Sequence, residues 1–251
     1  MTVPFDPMLV TGFVLALVRA SAWLFIAPPF NTRLVPLSVK AGLAAALALA
    51  AAPQAKAAGE LSLEAGPFIT ALVTQVLVGF SMGMIMLILF QAVQAAGALV
   101  DTFAGYSLAA VYDPTSDTTN SVFGRMYSLL ATTLLFVSGG HHLLVRGFFA
   151  SFEVVPAGAA DPGVVSRVLT TGADDFLLAA IEIAAPVIGC LFISELAMGL
   201  VARAAPSLNI FSLAFPVRVI VSLIVVALAI PLLGPAVQNL LQQALRPVMG
   251  G

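Results

Sequence analysis

Charge is the scarcest ingredient of this sequence. Of 251 residues, 9% are Asp, Glu, Lys or Arg and 61% are hydrophobic, whereas soluble domains run about a quarter charged and about half apolar. So few charges cannot cover a surface that faces water. Two Lys and eight Arg stand against twelve acidic residues, a net charge of -2 with no block of either sign, which argues against a nucleic-acid partner. Cysteine is nearly absent: Cys190 is alone and sits in an apolar run, so neither an intrachain disulfide nor a Cys-based metal site is available. Neither Lys40 nor Lys56 follows a glycine, which excludes a P-loop and with it ATP hydrolysis.

What remains is long apolar runs. Runs of the length that crosses a bilayer, about 20 residues, fall at 8 to 29, 126 to 150, 176 to 202 and 208 to 234. A shorter Ala-rich run extends from Leu37 to Pro53, and a sixth from Pro67 to Val100 carries no charge. As one helix the sixth would be about 50 Å long. A hydrocarbon core is about 30 Å thick, so this helix must tilt steeply, kink or project from the membrane. The first residues lack the basic region of a secretory signal, and the run after them is too long for a signal core, so it reads as an uncleaved first helix. The segment from Lys40 to Lys56 mimics a signal core but follows another hydrophobic helix. Serpentine insertion would put Lys56, Arg146, Arg167 and Arg246 on one side and Arg33, Lys40, Arg125 and Arg203 on the other. The positive-inside rule gives no orientation for such an even split.

Gly79 and Gly83 form a small-xxx-small pair, extended along the same face by Ala92, Ala96 and Gly97. This pattern predicts close helix packing, and so many small-faced helices favour an assembly. Pro186, Pro216 and Pro231 interrupt the last two runs and predict kinks.

Four ionisable residues, Arg19, Glu182, Glu195 and Arg203, lie within or at the edge of apolar segments, where an unpaired charge costs about 3 kcal/mol or more. Each needs a partner. Pairing across helices to lock an assembly is favoured over a proton or ion path. Gly105-Tyr106-Ser107-Leu108-Ala109, with His141 and His142 further on, is a near miss to a serine-hydrolase elbow, but the second glycine is missing. Adjacent helix positions point about 100° apart, so His141 and His142 do not form a metal pair, and no acidic or Cys partner accompanies them. Met82, Met84 and Met86 read as packing. No catalytic, cofactor-binding or metal-ligating set emerges, and the chain is expected not to be an enzyme.

Three stretches together resemble one known family. The first is Arg19, then Pro28-Pro29-Phe30, Val35-Pro36 and Val39-Lys40. The second runs from Gly97 through Asp101 and Gly105-Tyr106-Ser107-Leu108-Ala109-Ala110-Val111-Tyr112-Asp113-Pro114 to Ser116, Leu134-Leu135-Phe136 and Gly140-His141. The third is Gly199-Leu200-Val201-Ala202-Arg203-Ala204-Ala205-Pro206-Ser207-Leu208-Asn209-Ile210-Phe211-Ser212-Leu213, leading to Phe215-Pro216. In order and spacing these resemble the FliR/SctT family of type III protein-export gate subunits across nearly the whole chain. The run Arg203-Ala204-Ala205-Pro206 looks more like the flagellar members than the injectisome ones.

The resemblance implies an all-α membrane protein of about six long hydrophobic helices, a single domain over residues 1 to 251 in a helical export-gate assembly. Four N-terminal helices (1 to 150) would resemble FliP, and a C-terminal hairpin (176 to 234) would resemble FliQ. It implies steeply inclined helices, which would explain the overlong run and the balanced loop charges. It implies FliP-like and FliQ-like partners, FlhB-like and FlhA-like export components, and unfolded flagellar proteins in transit through an inner-membrane gate in the flagellar basal body. The loop around Asp113-Pro114 would be a channel plug, with Tyr106, Leu108, Val111, Tyr112, Asp113 and Pro114 as its candidate residues. A small-molecule transporter also fits the composition, but that class predicts hydropathy symmetry between halves, and none is visible.

Overall fold

Asp6 opens the first helix. Its carboxylate accepts from the Met8 N–H at 3.0 Å, and Pro7 occupies the first turn, where its missing N–H costs nothing. The computed structural model describes residues 6–33, 35–57, 64–105, 121–157, 162–204 and 210–249. These form seven helices and, among the described residues, no strand: α1 (Pro7–Ile26), α2 (Leu37–Ala57), α3 (Ala65–Ala104), α4 (Val122–Val137), α5 (Gly140–Val154), α6 (Pro162–Ala204) and α7 (Ile210–Met249). Five of them, α1, α2, α3, α6 and α7, contain stretches long and apolar enough to cross a membrane, and α4 with α5 makes a sixth if the bent pair counts as one span. The protein is an all-α membrane protein.

Several boundaries differ from those read off the sequence. α7 runs on to Met249 where the apolar run ends at 234. The run at 126 to 150 is two helices, broken at Ser138-Gly139. Gly139 ends the first of them with φ of 75°, a left-handed conformation that glycine adopts without steric cost. α2 continues through Pro53 to Ala57. With Pro53 in the last turns of an Ala-rich helix, the helix former outweighs the single lost backbone bond. α3 spans 40 residues without interruption, about 60 Å at the α-helical rise. α6 likewise runs on through Pro186.

The chain divides into two compact units. The first comprises residues 1–89, 139–174 and 241–251, the second 90–138 and 175–240. In the first unit α1 packs on α2 through small residues. A Cβ on Gly12 would come 2.9 Å from the Ala52 carbonyl oxygen, and Ala48, Ala51, Ala52 and Ala55 are fully buried. Gly79 and Gly83 of α3 meet the other side of α1. Side chains there would collide with the Arg19 carbonyl and with the Cβ atoms of Ala22 (2.9 Å) and Ile26 (2.8 Å). Such close approach replaces the hydrophobic drive, which is missing between helices in lipid, with van der Waals contact. Trp23 stacks on Phe148 of α5, centroids 5.5 Å apart and planes 16° from parallel. Met82 and Met86, one helical turn apart, are buried.

In the second unit the last turns of α3 lie against the start of α4. A Cβ on Gly97 would run into the Phe123 carbonyl oxygen and the Gly124 backbone, and Gly124 is packed as tightly against the Gln94 carbonyl. Ala92, Ala179 and Ala180 form a small buried cluster, flanked by Ala95 and Leu240.

The Lys56 ammonium at the end of α2 donates to the Asp6 carboxylate. That hydrogen bond, with the Met8 and Leu9 N–H groups, holds the Asp6 carboxyl below its ordinary value of 3.8. A lowered pKa means that the contact contributes in full above 3.8 and is lost as pH falls through the lower folded-state value. Thermal unfolding in detergent is expected to show Asp6→Asn less stable than the parent near neutral pH. The difference should vanish well below 3.8.

Candidate functional site

Arg19 lies completely buried in the first unit, in the middle of α1. Its guanidinium is held by neutral oxygens. Nε donates to Gln75 Oε1 of α3 at 2.6 Å, Nη1 to Ser151 Oγ of α5 at 2.8 Å, and Nη2 to the Val155 carbonyl at 2.7 Å. The cation also lies 3.9 Å from the centroid of the Phe152 ring, a favourable cation–π contact in a dry setting. The two polar partners are themselves satisfied: Gln75 Nε2 donates to the Ala157 carbonyl at 2.9 Å, and the Ser151 hydroxyl to the Phe148 carbonyl at 2.6 Å. Val155 caps the C-terminus of α5, so the positive charge sits at the negative end of that helix dipole. No carboxylate pairs with Arg19 among the described residues. The two acids singled out in apolar segments, Glu182 and Glu195, are exposed.

Glu195 pairs instead with Arg218, a residue the sequence reading passed over. Arg218 Nη2 reaches the two Glu195 carboxylate oxygens at 2.5 and 2.6 Å, and Nε reaches Oε2 at 3.1 Å. The fork geometry ties α6 to α7 inside the second unit. The signal was present: Arg218 is a cation set two residues after Pro216 in a run that is otherwise apolar. Arg218 also approaches the C-terminal end of α3. A Cβ on Gly105 would come 2.9 Å from its Nη1, and Gly105 has φ of 83°. The positive φ there demands glycine, whereas the flexible tip of Arg218 can yield.

Asp101 is buried at the end of α3. Its carboxylate accepts from the Ser121 hydroxyl and from the Phe123 N–H at 3.1 Å, while Ser121 Oγ caps α4 by accepting from the Gly124 N–H at 2.7 Å. The two residues that flank the 106–120 segment, Gly105 and Ser121, therefore both sit on defined contacts. The candidate plug residues Tyr106, Leu108, Val111, Tyr112, Asp113 and Pro114, and Ser107 with them, lie outside the described residues. His141 and His142 stand side by side at the start of α5, ring centroids 4.0 Å apart. Among the described residues no group of three metal-ligating side chains comes together. Glu182 and Arg203 are exposed on α6 and have no ion-pair partner among the described residues.

These contacts join helices. A family model described as bacterial export proteins, family 1, matches residues 10–244. The chain belongs to the bacterial export proteins, family 1. Within that family it is similar to the flagellar biosynthetic protein FliR of Escherichia coli, 31% identical over 228 residues that cover 90% of this chain and 87% of that protein. FliR of Bacillus subtilis is 28% identical over 232 residues, 91% of this chain and 89% of its own. The secretion system apparatus protein SsaT of Salmonella typhimurium is 28% identical over 160 residues, 62% and 61% of the two chains. As an export protein, the chain places Arg19, Asp101 and the Glu195–Arg218 pair where three helix junctions are fixed.

Arg19→Ala would leave the Gln75, Ser151 and Val155 oxygens buried without their donor, a loss of about 3 kcal/mol or more. Denaturant titration of the detergent-solubilised protein is expected to register it. Arg19→Lys should recover only part of the loss, because an ammonium cannot span three oxygens as a planar fork does.

Proposed function

We propose that this chain is a non-enzymatic core subunit of the type III protein-export gate of the bacterial inner membrane, serving flagellum assembly in the basal body. With FliP-like and FliQ-like subunits it forms the conduit through which unfolded flagellar proteins leave the cell, in contact with FlhB-like and FlhA-like components. The observation that carries this reading is the extent of the family match, which reaches from residue 10 in α1 to residue 244 in α7. α6 and α7, joined by Glu195 and Arg218, supply the hairpin that would close the assembly. The similarity to SsaT supports a second reading, an injectisome gate subunit of the same family.

A gate has to stop ions while letting chains through. Apolar side chains on a loop rich in small polar residues can do so by dewetting, and the 106–120 segment sets Leu108 and Val111 among two Ser, three Thr and one Pro. We assign Tyr106, Leu108, Val111, Tyr112, Asp113 and Pro114 to this plug.

Affinity purification of the tagged chain from mild detergent is expected to recover FliP-like and FliQ-like proteins. Deleting the gene should abolish motility and the secretion of flagellar subunits. A motile deletion strain that has lost another secreted set would favour the injectisome reading. Glu195→Ala should weaken recovery of the partners by releasing Arg218, and a variant that assembles normally yet stops secretion would point to an ion path instead. Removing residues 107 to 116 should make the membrane leak small ions; a tight membrane after that deletion would remove the plug assignment.

A further inference from the structure

α6 has two unlike faces. Ala180, Ala184, Val187 and Leu191 are buried within the second unit. The opposite side, stepping by three and four residues through Leu178, Glu182, Pro186, Gly189, Ile193, Leu196 and Leu200, is exposed throughout. Lipid would cover a plain apolar stripe adequately. Two members of this stripe do not suit lipid. Glu182 stands within the membrane-length apolar stretch Leu178–Ala204 with its carboxylate unpaired among the described residues, and carboxylates at such positions find partners or line water. Gly189 is open, since a Cβ there would meet nothing within 4 Å. An open glycine in the middle of an apolar helix forgoes packing and helix propensity unless another backbone comes up against it.

From this pairing of features we infer that the exposed stripe of α6 is the seat of a transmembrane helix of a different polypeptide, one that crosses closely at Gly189 and presents a Lys or Arg to Glu182. A second copy of this chain meeting it through the same stripe does not fit. In the same membrane orientation it would set Glu182 against Glu182. The complementary arrangement, Glu182 of one copy opposite Arg203 of the other, twenty-one residues further along α6, needs the two copies to be inverted. The inference rests on the reading of the chain as an assembly subunit and adds to it the surface used and the charge of the partner.

The test uses the full assembly in its own membrane. A photo-crosslinking amino acid is placed at Ile193, and the crosslinked peptide is identified by mass spectrometry. In parallel, Glu182→Gln, Glu182→Lys and Gly189→Leu are scored for partner recovery after detergent extraction, with Leu228→Ala on the exposed side of α7 as the control. A crosslink to an apolar helix bearing a Lys or Arg is expected. Partner recovery should fall about tenfold or more in Glu182→Lys and Gly189→Leu, less in Glu182→Gln, and not at all in the control. Changing the partner's cation to Glu should restore recovery with Glu182→Lys, which separates a lost contact from a misfolded chain. Crosslinking only to lipid or to a second copy, or undiminished recovery in Glu182→Lys, would overturn the inference. If the parent still recovers the export components in that case, the proposed function stands without it.

Discussion

A guanidinium in a dry interior is tolerable only when oxygens surround it, and Arg19 has them at 2.6, 2.7 and 2.8 Å. The cost of stripping water from the charge is large, and in this unit no carboxylate among the described residues offsets it. The compensation is distributed instead: an amide, a hydroxyl, the end of α5 and an aromatic face each contribute a part. These oxygens come from α3, from α5 and from the residue that ends α5, so the cation is satisfied only when α1, α3 and α5 are all in place. A charge that is costly to leave alone thereby becomes a specification of which helices must meet.

Within each unit, close approach of backbones contributes to the packing. Gly12 lets α2 onto α1, Gly79 and Gly83 let α3 onto it, and Gly97 with Gly124 brings α3 and α4 together. Each glycine faces a carbonyl oxygen or a Cβ that any larger residue would displace. This is how a chain with little water-driven collapse available in lipid can hold helices in a defined register. Polar fastening adds to it: Asp6 with Lys56, Asp101 with Ser121 and Phe123, and Glu195 with Arg218.

Much of this was legible from the residues, and the gaps have physical causes. The apolar runs marked the helices because membrane-length segments announce themselves by composition. The break at Gly139 was hidden because Ser138-Gly139-Gly140 is neutral and a left-handed turn needs no charge. Arg19 was visible as a charge out of place. Its partners were not, since Gln75 and Ser151 lie 56 and 132 residues away, and neutral side chains give no sign of which cation they will serve. Arg218 escaped because it follows Pro216 in a stretch read for its family pattern. Asp101 stood only as part of a family-like stretch, where the structure has it accept from Ser121 and Phe123 and so join α3 to α4.

α3 has a further consequence for where its apolar surface goes. It is about 60 Å of helix against about 30 Å of hydrocarbon, and Asp101 is its only charge. Much of that length is lined by the chain itself: Val78, Met82, Met86 and Leu89 are buried in the first unit, and Val93, Ala96 and Val100 in the second. The greasy excess is thus wrapped inside the fold instead of being bared to water.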